Sequence, residues 1–184
     1  GVSPEGVSRI VGMTDPYTGG FELNLSCPNL VPGEESVNAI VGQHPKAAAR
    51  VVRAAKGATD KPVIAKLSPN TEYVEVGRAC IEAGADYLGC GNTMPGIAID
   101  LHARTPVLAG GSGGVSGPAL KPINLKMVYD AYAALGCPIV AYGGIGNWED
   151  AVEYFLAGAS VIGLGTFFAH RNTADIVRDT AVLW

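Results

Sequence analysis

A cysteine flanked by two asparagines is the first candidate for chemistry in this sequence: Cys27 lies between Asn24 and Asn29. A single cysteine after an apolar run is by default a small buried hydrophobe. The amides keep a functional role open, because each supplies donors and acceptors for a planar polar ligand. A thiol, with an ordinary pKa of about 8.5, can act as a general base where its surroundings favour the thiolate.

A lysine inside an apolar run is the second candidate, at Lys66 within VIAKLS. A buried ammonium needs a partner. Lys66 is therefore either a residue of a binding site or one half of a buried ion pair. Asn92 and Thr93 follow the next apolar run, where they could bind a polar ligand or form a simple turn.

Two glycine-containing turns near the end of the chain could bind a phosphate. One reads Gly143-Gly144-Ile145-Gly146, and the other is Gly165-Thr166. Backbone N–H groups at such turns, next to a helix N-terminus, bind anions. Two such turns after consecutive strands favour phosphate binding over turns without a ligand. A further Gly-rich stretch, residues 110–117, is predicted as an active-site loop rather than a flexible linker.

Short apolar runs that end in Gly, Ser or Asn predict the strands that must position these residues. They are short and continuously apolar, as buried parallel strands are. The predicted strands are residues 21–26, 63–68, 87–92, 139–143 and 161–165.

Helical patterns with caps alternate with these runs. The first covers residues 45–56 and ends at Gly57; the second has Thr71 as its N-cap and ends at Gly84. The third and fourth are residues 122–135, followed by Gly136, and a helix with Asn147 as N-cap and Gly158 as C-cap.

The alternation of strands and helices predicts an α/β protein with a parallel sheet, in a single domain over residues 1–184. A doubly wound sheet and a barrel are the two candidates. No GxGxxG follows the first strand, and polar residues end successive strands, which favours the barrel. Five strands do not close a (β/α)8 barrel, so we expect the N-terminal units to be missing here. An open sheet with two exposed edges is the alternative.

Composition excludes several classes of protein. The net charge of −4 over 184 residues argues against nucleic-acid binding. The longest uncharged stretch, residues 131–148, contains four glycines and a proline, which argues against a membrane span. The four cysteines form no CxxC pair, so we expect no metal site, reduced thiols and a cytoplasmic location. Core packing is expected for Cys80, Cys90 and Cys137.

Six segments taken together resemble the dihydroorotate dehydrogenase family, specifically its class 1B catalytic subunits. They occur in family order over about residues 21–168, and the combination is far more specific than any one of them. The segments are ELNLSCPN, AKLSPN, GNT followed by GIAIDL and RTPVL, GGVSGPALKP, YGGI and AGASVIGLGT.

The resemblance implies a (β/α)8 barrel that binds flavin mononucleotide (FMN) at its C-terminal rim, with the five strands here as the fourth to eighth. It implies that Cys27 takes the C5 proton of dihydroorotate while the C6 hydride passes to FMN. It further implies that substrate is bound by Asn24, Asn29, Asn92 and Thr93. The implied FMN-binding residues are Lys66, Ser116, Gly117, Gly143, Gly144, Gly165 and Thr166.

The class 1B features also imply partners. The family's membrane-bound, quinone-linked class resembles this region but uses serine where Cys27 stands, and related dihydropyrimidine dehydrogenases usually place histidine where Asn29 stands. Class 1B enzymes pass electrons to NAD through a second subunit that carries FAD and a 2Fe–2S cluster. The resemblance implies such a subunit, and a homodimer.

Three departures from the family pattern keep alternatives open. The loop after Asn29 reads LVPGEESVNAIVG rather than the family's Gly-Gly and aromatic-Gly pattern, and Gly91 stands where a small aliphatic residue is common. The first three βα units of the family are missing from this chain. The alternatives are reduction of uracil or thymine by a dihydropyrimidine dehydrogenase-like domain, a phosphate-binding barrel without flavin, and a non-catalytic fragment.

Overall fold

The computed structural model describes residues 3–26 and 41–169. These described residues form nine strands, in chain order β1 (Phe21–Asn24), β2 (Val63–Leu67), β3 (Tyr87–Cys90), β4 (Met94–Gly96), β5 (Ile99–Asp100), β6 (Thr105–Pro106), β7 (Gly113–Val115), β8 (Ile139–Tyr142) and β9 (Val161–Gly163). The helices are α1 (Pro4–Thr14), α2 (Pro45–Lys56), α3 (Tyr73–Glu82), α4 (Lys121–Leu135) and α5 (Trp148–Leu156).

The main sheet has five parallel strands in the order β1-β2-β3-β8-β9. These are the five strands predicted from the sequence, and the parallel α/β architecture is confirmed. Strands that are neighbours in the sheet are joined by crossover helices, as parallel pairing requires. Within the described residues β1 and β9 are the outer strands of this sheet.

One face of the sheet packs against the helices and forms the core. In β2 the side chains of Val63, Ala65 and Leu67 are fully buried, while Ile64 and Lys66 between them point to the opposite face and are partly exposed. This alternation follows from the two-residue period of a strand. The second face carries Ile64 together with the polar residues Glu22, Asn24 and Lys66.

Contacts on that second face show that the sheet is strongly curved. Tyr142 on β8 donates a hydrogen bond to Glu22 on β1, although β2 and β3 lie between the two strands. In a flat sheet the two strands would be three spacings, or about 14 Å, apart. Curvature lets their side chains meet across the concave face, as in the wall of a barrel.

Helix α1 was not predicted, because Gly6 and Gly12 lower the helical preference of the segment. The helix forms because Ser3 caps it, with its hydroxyl accepting from Gly6 N at 3.1 Å. Val7 and Val11 are buried, and α1 packs against α2. Tertiary burial therefore outweighs local preference here.

The predicted helix ends at Gly57 and Gly136 are confirmed, since these residues are the C-caps of α2 and α4. Of the other predicted caps, one is confirmed and two are corrected. Asn147 caps α5, with Oδ1 accepting from Asp150 N at 2.8 Å. The predicted N-cap Thr71 is wrong: its hydroxyl donates to Ser68 O at 2.8 Å, and Glu72 precedes the first turn of α3. The C-cap of α5 is Ala157, and Gly158 follows it with a φ of 110°.

The Gly-rich loop predicted at residues 110–117 is partly strand. Strand β7 pairs with β4 in one antiparallel ribbon, and β5 pairs with β6 in another, between β3 and α4. The residues that pair in β4 and β7 are 17–21 positions apart in the sequence, so the local pattern of glycines did not indicate β7. None of the described helices is both long and apolar enough to cross a lipid bilayer.

Candidate functional site

The predicted site residues follow or end the strands of the main sheet at one edge. Asn24 ends β1, Lys66 is the penultimate residue of β2, and Asn92 follows β3 by two residues. Gly143 and Gly165 follow β8 and β9. Because all five strands are parallel, these residues converge at the edge where ligands bind in such sheets.

A cavity of about 560 Å³ lies at this edge. Its volume is in the range of small-molecule and cofactor sites. Nine of the residues proposed from the sequence line it: Lys66, Asn92, Thr93, Ser116, Gly117, Gly143, Gly144, Gly165 and Thr166. Sequence reasoning did not single out several others in the wall, among them Pro118, Tyr142, Leu164 and Phe167.

Two amide side chains are tied together beside the cavity. Asn92 Nδ2 donates to Asn24 Oδ1 at 3.0 Å, and Ser26 N donates to the same oxygen at 3.3 Å. Asn92 Oδ1 in turn accepts from Thr93 N at 2.9 Å. These bonds fix the orientation of both amide planes at the ends of β1 and β3. A pair of fixed amides suits a planar ligand that carries both donors and acceptors.

Cys27 and Asn29 lie outside the described residues, within the segment 27–40. Their predicted roles therefore remain predictions. The described chain reaches Ser26, a buried residue that directly precedes Cys27 and lies two residues after Asn24.

Lys66 combines features of both interpretations that the sequence left open, although its ion pair is partly exposed rather than buried. It lines the cavity, and it forms an ion pair with Glu22, with 2.5 Å between Nζ and Oε1. Its Nζ also lies 5.3 Å from the centre of the Tyr142 ring, within the range of a cation–π interaction. Strand periodicity could have indicated Glu22, which is two residues from Asn24 and so shares its face.

Tyr142 completes this cluster through its hydroxyl, which donates to Glu22 Oε2. Burial raises the pKa of the Tyr142 phenol well above its usual value, and the Glu22 carboxylate raises it further. The phenol is therefore neutral at physiological pH and remains a hydrogen-bond donor.

Gly91, where the family commonly has a small aliphatic residue, has a φ of 122°. A Cβ built there would lie 2.2 Å from the Tyr142 carbonyl oxygen. This chain therefore requires glycine between β3 and Asn92, since both the backbone conformation and the close approach of β8 exclude a side chain.

The turn after β8 passes so close to α4 that it excludes side chains. Gly143 and Gly144 have φ values of 106° and 73°. A Cβ on Gly144 would lie 2.6 Å from Lys121 N, and one on Gly143 would lie 2.0 Å from Asn124 Nδ2. Tyr154 fixes the turn by donating to Gly143 O at 2.6 Å.

Asp150, near the start of helix α5, fixes the glycine-containing turn after β8 at its last residue, Gly146. Its Oδ2 accepts from Gly146 N at 2.8 Å, and its Oδ1 lies 2.5 Å from Lys121 Nζ. Burial alone would raise the pKa of this carboxyl, but the Lys121 ammonium and the backbone N–H of Gly146 together hold it below its usual value. The turn is thus anchored to the N-terminus of α5 by side chains of the helix itself.

These features fit a phosphate-bearing flavin. Gly143 and Gly144 line the cavity with backbone rather than with side chains, and the cavity has the volume of a cofactor site. Lys66 supplies a cation in the wall. No group of three or more His, Cys, Asp or Glu side chains that could hold a metal ion occurs among residues 3–26 and 41–169.

Comparison of the fold with solved structures finds a ligand-free DHODH from Eimeria tenella. The TM-score is 0.75 at 21% sequence identity, over 96% of this chain and 53% of that chain. The likeness shows that the two proteins share the same α/β fold over the matched part.

Three bacterial and archaeal relatives are named dihydroorotate dehydrogenase B (NAD(+)), catalytic subunit. The protein of Pelobacter propionicus is 46% identical over 90% of this chain and 54% of its own length. That of Pyrococcus furiosus is 45% identical over 97% and 60%, and that of Geobacter metallireducens is 48% identical over 82% and 48%. The chain thus spans about half the length of the curated relatives it matches.

The family model for dihydroorotate dehydrogenase matches residues 5–179, nearly the whole sequence. This match includes all five strands of the main sheet and every described residue that lines the cavity. Together with relatives at 45–48% identity, it shows that this chain belongs to the dihydroorotate dehydrogenase family.

Proposed function

We propose that this chain forms part of the FMN-binding barrel of a dihydroorotate dehydrogenase and serves pyrimidine biosynthesis. Its five parallel strands would be the fourth to eighth of eight, and residues 1–184 would belong to one domain. The observation that carries the proposal is the convergence of nine sequence-proposed residues on one cavity at the carboxyl edge of the sheet.

The proposed reaction is the oxidation of dihydroorotate to orotate, with loss of a proton from C5 and a hydride from C6. FMN, when bound, supplies the acceptor for the hydride. Cys27 takes the C5 proton as a thiolate and then releases it to solvent. Support for this role is the position of Cys27 in the sequence, three residues after the end of β1 at the cavity edge.

Four polar residues would hold the substrate. Asn24 and Asn92 offer amides whose orientation is fixed by their mutual hydrogen bond, which suits the ring amides and the carboxylate of the substrate. Thr93, which lines the cavity, and Asn29 would complete the set.

Seven residues would hold FMN. Lys66 would contact the flavin ring, where a cation stabilises negative charge on the reduced form. Ser116 and Gly117 line the same cavity. Gly143, Gly144, Gly165 and Thr166 would bind the phosphate through backbone N–H groups and the Thr166 hydroxyl.

The names of the relatives support a partner as well. We propose that electrons leave FMN for NAD through a separate subunit that carries FAD and a 2Fe–2S cluster, and that the catalytic subunit is a homodimer. The described cysteines Cys80, Cys90 and Cys137 are free thiols, which fits the reducing cytoplasm we propose as the location.

A visible absorption spectrum tests the proposal. The purified protein, as its gene encodes it, should show a flavin band that bleaches on anaerobic addition of dihydroorotate. Dihydrouracil is the matched control and should leave the band unchanged. Bleaching by dihydrouracil alone would identify a pyrimidine reductase instead, and a protein without a flavin band after incubation with FMN would overturn the proposal.

A further inference from the structure

Three side chains from three different strands meet on the concave face of the sheet. Glu22 comes from β1, Lys66 from β2 and Tyr142 from β8. The Glu22 carboxylate uses one oxygen for the Lys66 ammonium and the other for the Tyr142 hydroxyl. Glu22 is therefore the centre of the cluster.

Two glycines make room for this arrangement. A Cβ on Gly89 would lie 3.0 Å from both Cα and Cβ of Lys66, so the lysine stem lies against β3 at that point. A Cβ on Gly163 would lie 2.2 Å from Cε1 of Tyr142, so the tyrosine ring covers β9. The backbone thus leaves space for both partners of Glu22 and holds them in place.

Lys66 is the one charged side chain among the described residues that line the cavity. Glu22 does not line the cavity itself but forms an ion pair with Lys66. The charge that the cavity presents to a ligand is therefore that of Lys66, reduced by the carboxylate of Glu22. At a partly exposed site the carboxylate lowers this charge without cancelling it.

We infer that Glu22 is a positioning residue that holds Lys66 at the flavin and sets how strongly the site favours reduced over oxidised FMN. This inference rests on the proposed function, because it requires FMN in the cavity. The reduced flavin carries more negative charge than the oxidised flavin. The Lys66 ammonium favours the reduced form, and Glu22 weakens that preference by charge compensation.

The test is the FMN midpoint potential of the FMN-loaded protein, measured by equilibration with a redox dye in the absence of substrate. Glu22→Gln keeps the size of the side chain and an oxygen for Lys66 but removes the charge. We expect the ratio of the affinities for reduced and oxidised FMN to rise about tenfold. For a two-electron couple this corresponds to a rise in the midpoint potential of about 30 mV. Glu75→Gln, the same charge change on the exposed face of α3, should shift this ratio less than twofold.

The same substitution in a protein that also carries Lys66→Met shows whether Glu22 affects the midpoint potential through Lys66. In a Lys66→Met protein, Glu22→Gln still removes the direct effect of the carboxylate on the flavin but no longer frees an ammonium, so the ratio should change clearly less than in the protein that retains Lys66. An equal shift in both backgrounds would overturn the positioning role, and so would an unchanged potential in the single variant.

Glu22→Asp keeps the test decisive if Glu22→Gln fails to fold. The shorter side chain retains its charge but draws the carboxylate away from Nζ, so a smaller rise in the same direction is expected. A fall in potential, or none, would overturn the inference. This inference and the proposed function can fail separately. If dihydroorotate reduces the unaltered protein but Glu22→Gln leaves the FMN midpoint potential unchanged, only this inference is refuted. If the protein does not bind FMN, both are refuted.

Discussion

Asn92 donates from Nδ2 to Asn24 Oδ1 at 3.0 Å, which joins the ends of β1 and β3 across 68 residues of sequence. Strand β2 lies between those strands, with Lys66 in register with Asn24. The two amides therefore bridge the edge of the cavity next to its cationic side chain, and each restricts the rotation of the other.

The hydrogen bond between Asn92 and Asn24 predicts that the two residues contribute non-additively to ligand binding. Asn24→Ala and Asn92→Ala should each weaken orotate binding about tenfold, since each removes a proposed ligand contact and frees the remaining amide to rotate. The double variant should lose less than the product of the two effects. Titration of the flavin spectrum with orotate measures all four dissociation constants.

Ser160→Ala is the control for these variants, because Ser160 is exposed and directly precedes β9, at the opposite edge of the sheet; it should bind orotate as the unaltered protein does. Strictly multiplicative losses in the double variant would show that the bridge has no role in binding.

Cys27→Ala should retain bound FMN but slow its reduction by dihydroorotate by at least about 100-fold, the usual effect of losing a general base. Stopped-flow absorbance in the flavin band gives the rate. Cys137→Ala is the matched control, because Cys137 is buried in the core, and burial raises its thiol pKa. A Cys27 variant with an unchanged rate would remove this residue from the mechanism.

Gly144→Ala should destabilise the protein by about 1–3 kcal/mol, because its φ of 73° is costly for alanine. The new Cβ would also press against the backbone of Lys121. Displacement of the turn should weaken FMN binding at least about tenfold, as measured by fluorescence titration.

Gly146→Ala in the same turn provides the comparison for Gly144. Its Cβ would lie 3.5 Å from Asp150 Oδ2, an ordinary contact, so both stability and FMN affinity should change much less. Equal effects of the two substitutions would argue against the steric explanation.

The lowered pKa of Asp150 predicts acid sensitivity. A carboxyl whose pKa is lower in the folded state stabilises that state above its unfolded pKa of about 4, and this stability is lost as pH falls through the folded pKa. Urea unfolding should show that Asp150→Asn destabilises the protein at pH 7, with a smaller difference from the unaltered protein at pH 3.

Glu149→Gln, one residue earlier on an exposed position, should leave this pH dependence unchanged. A constant effect of Asp150→Asn at both pH values would mean that the ion pair with Lys121 and the bond to Gly146 N do not depend on the charge of Asp150.

The sequence by itself determined the alternating strands and helices and the polar or glycine residues at the strand ends. Those features depend on residues that are close together in the sequence. The spacing of apolar residues distinguishes a strand from a helix, and Asn147 caps α5 by accepting a hydrogen bond from Asp150 N, three residues later. Parallel pairing then brings the strand ends to one edge, so the convergence of Lys66, Asn92 and Gly143 on one cavity was predictable.

Tertiary structure alone decided the rest, because it depends on contacts between distant residues. Helix α1 forms through burial against α2 in spite of its glycines, and β7 forms because β4 is there to pair with it. Glu22 and Tyr142 are 120 residues apart and meet only because the sheet curves. No local period encodes that curvature, and so the partner of Lys66 could be recognised only in the folded chain.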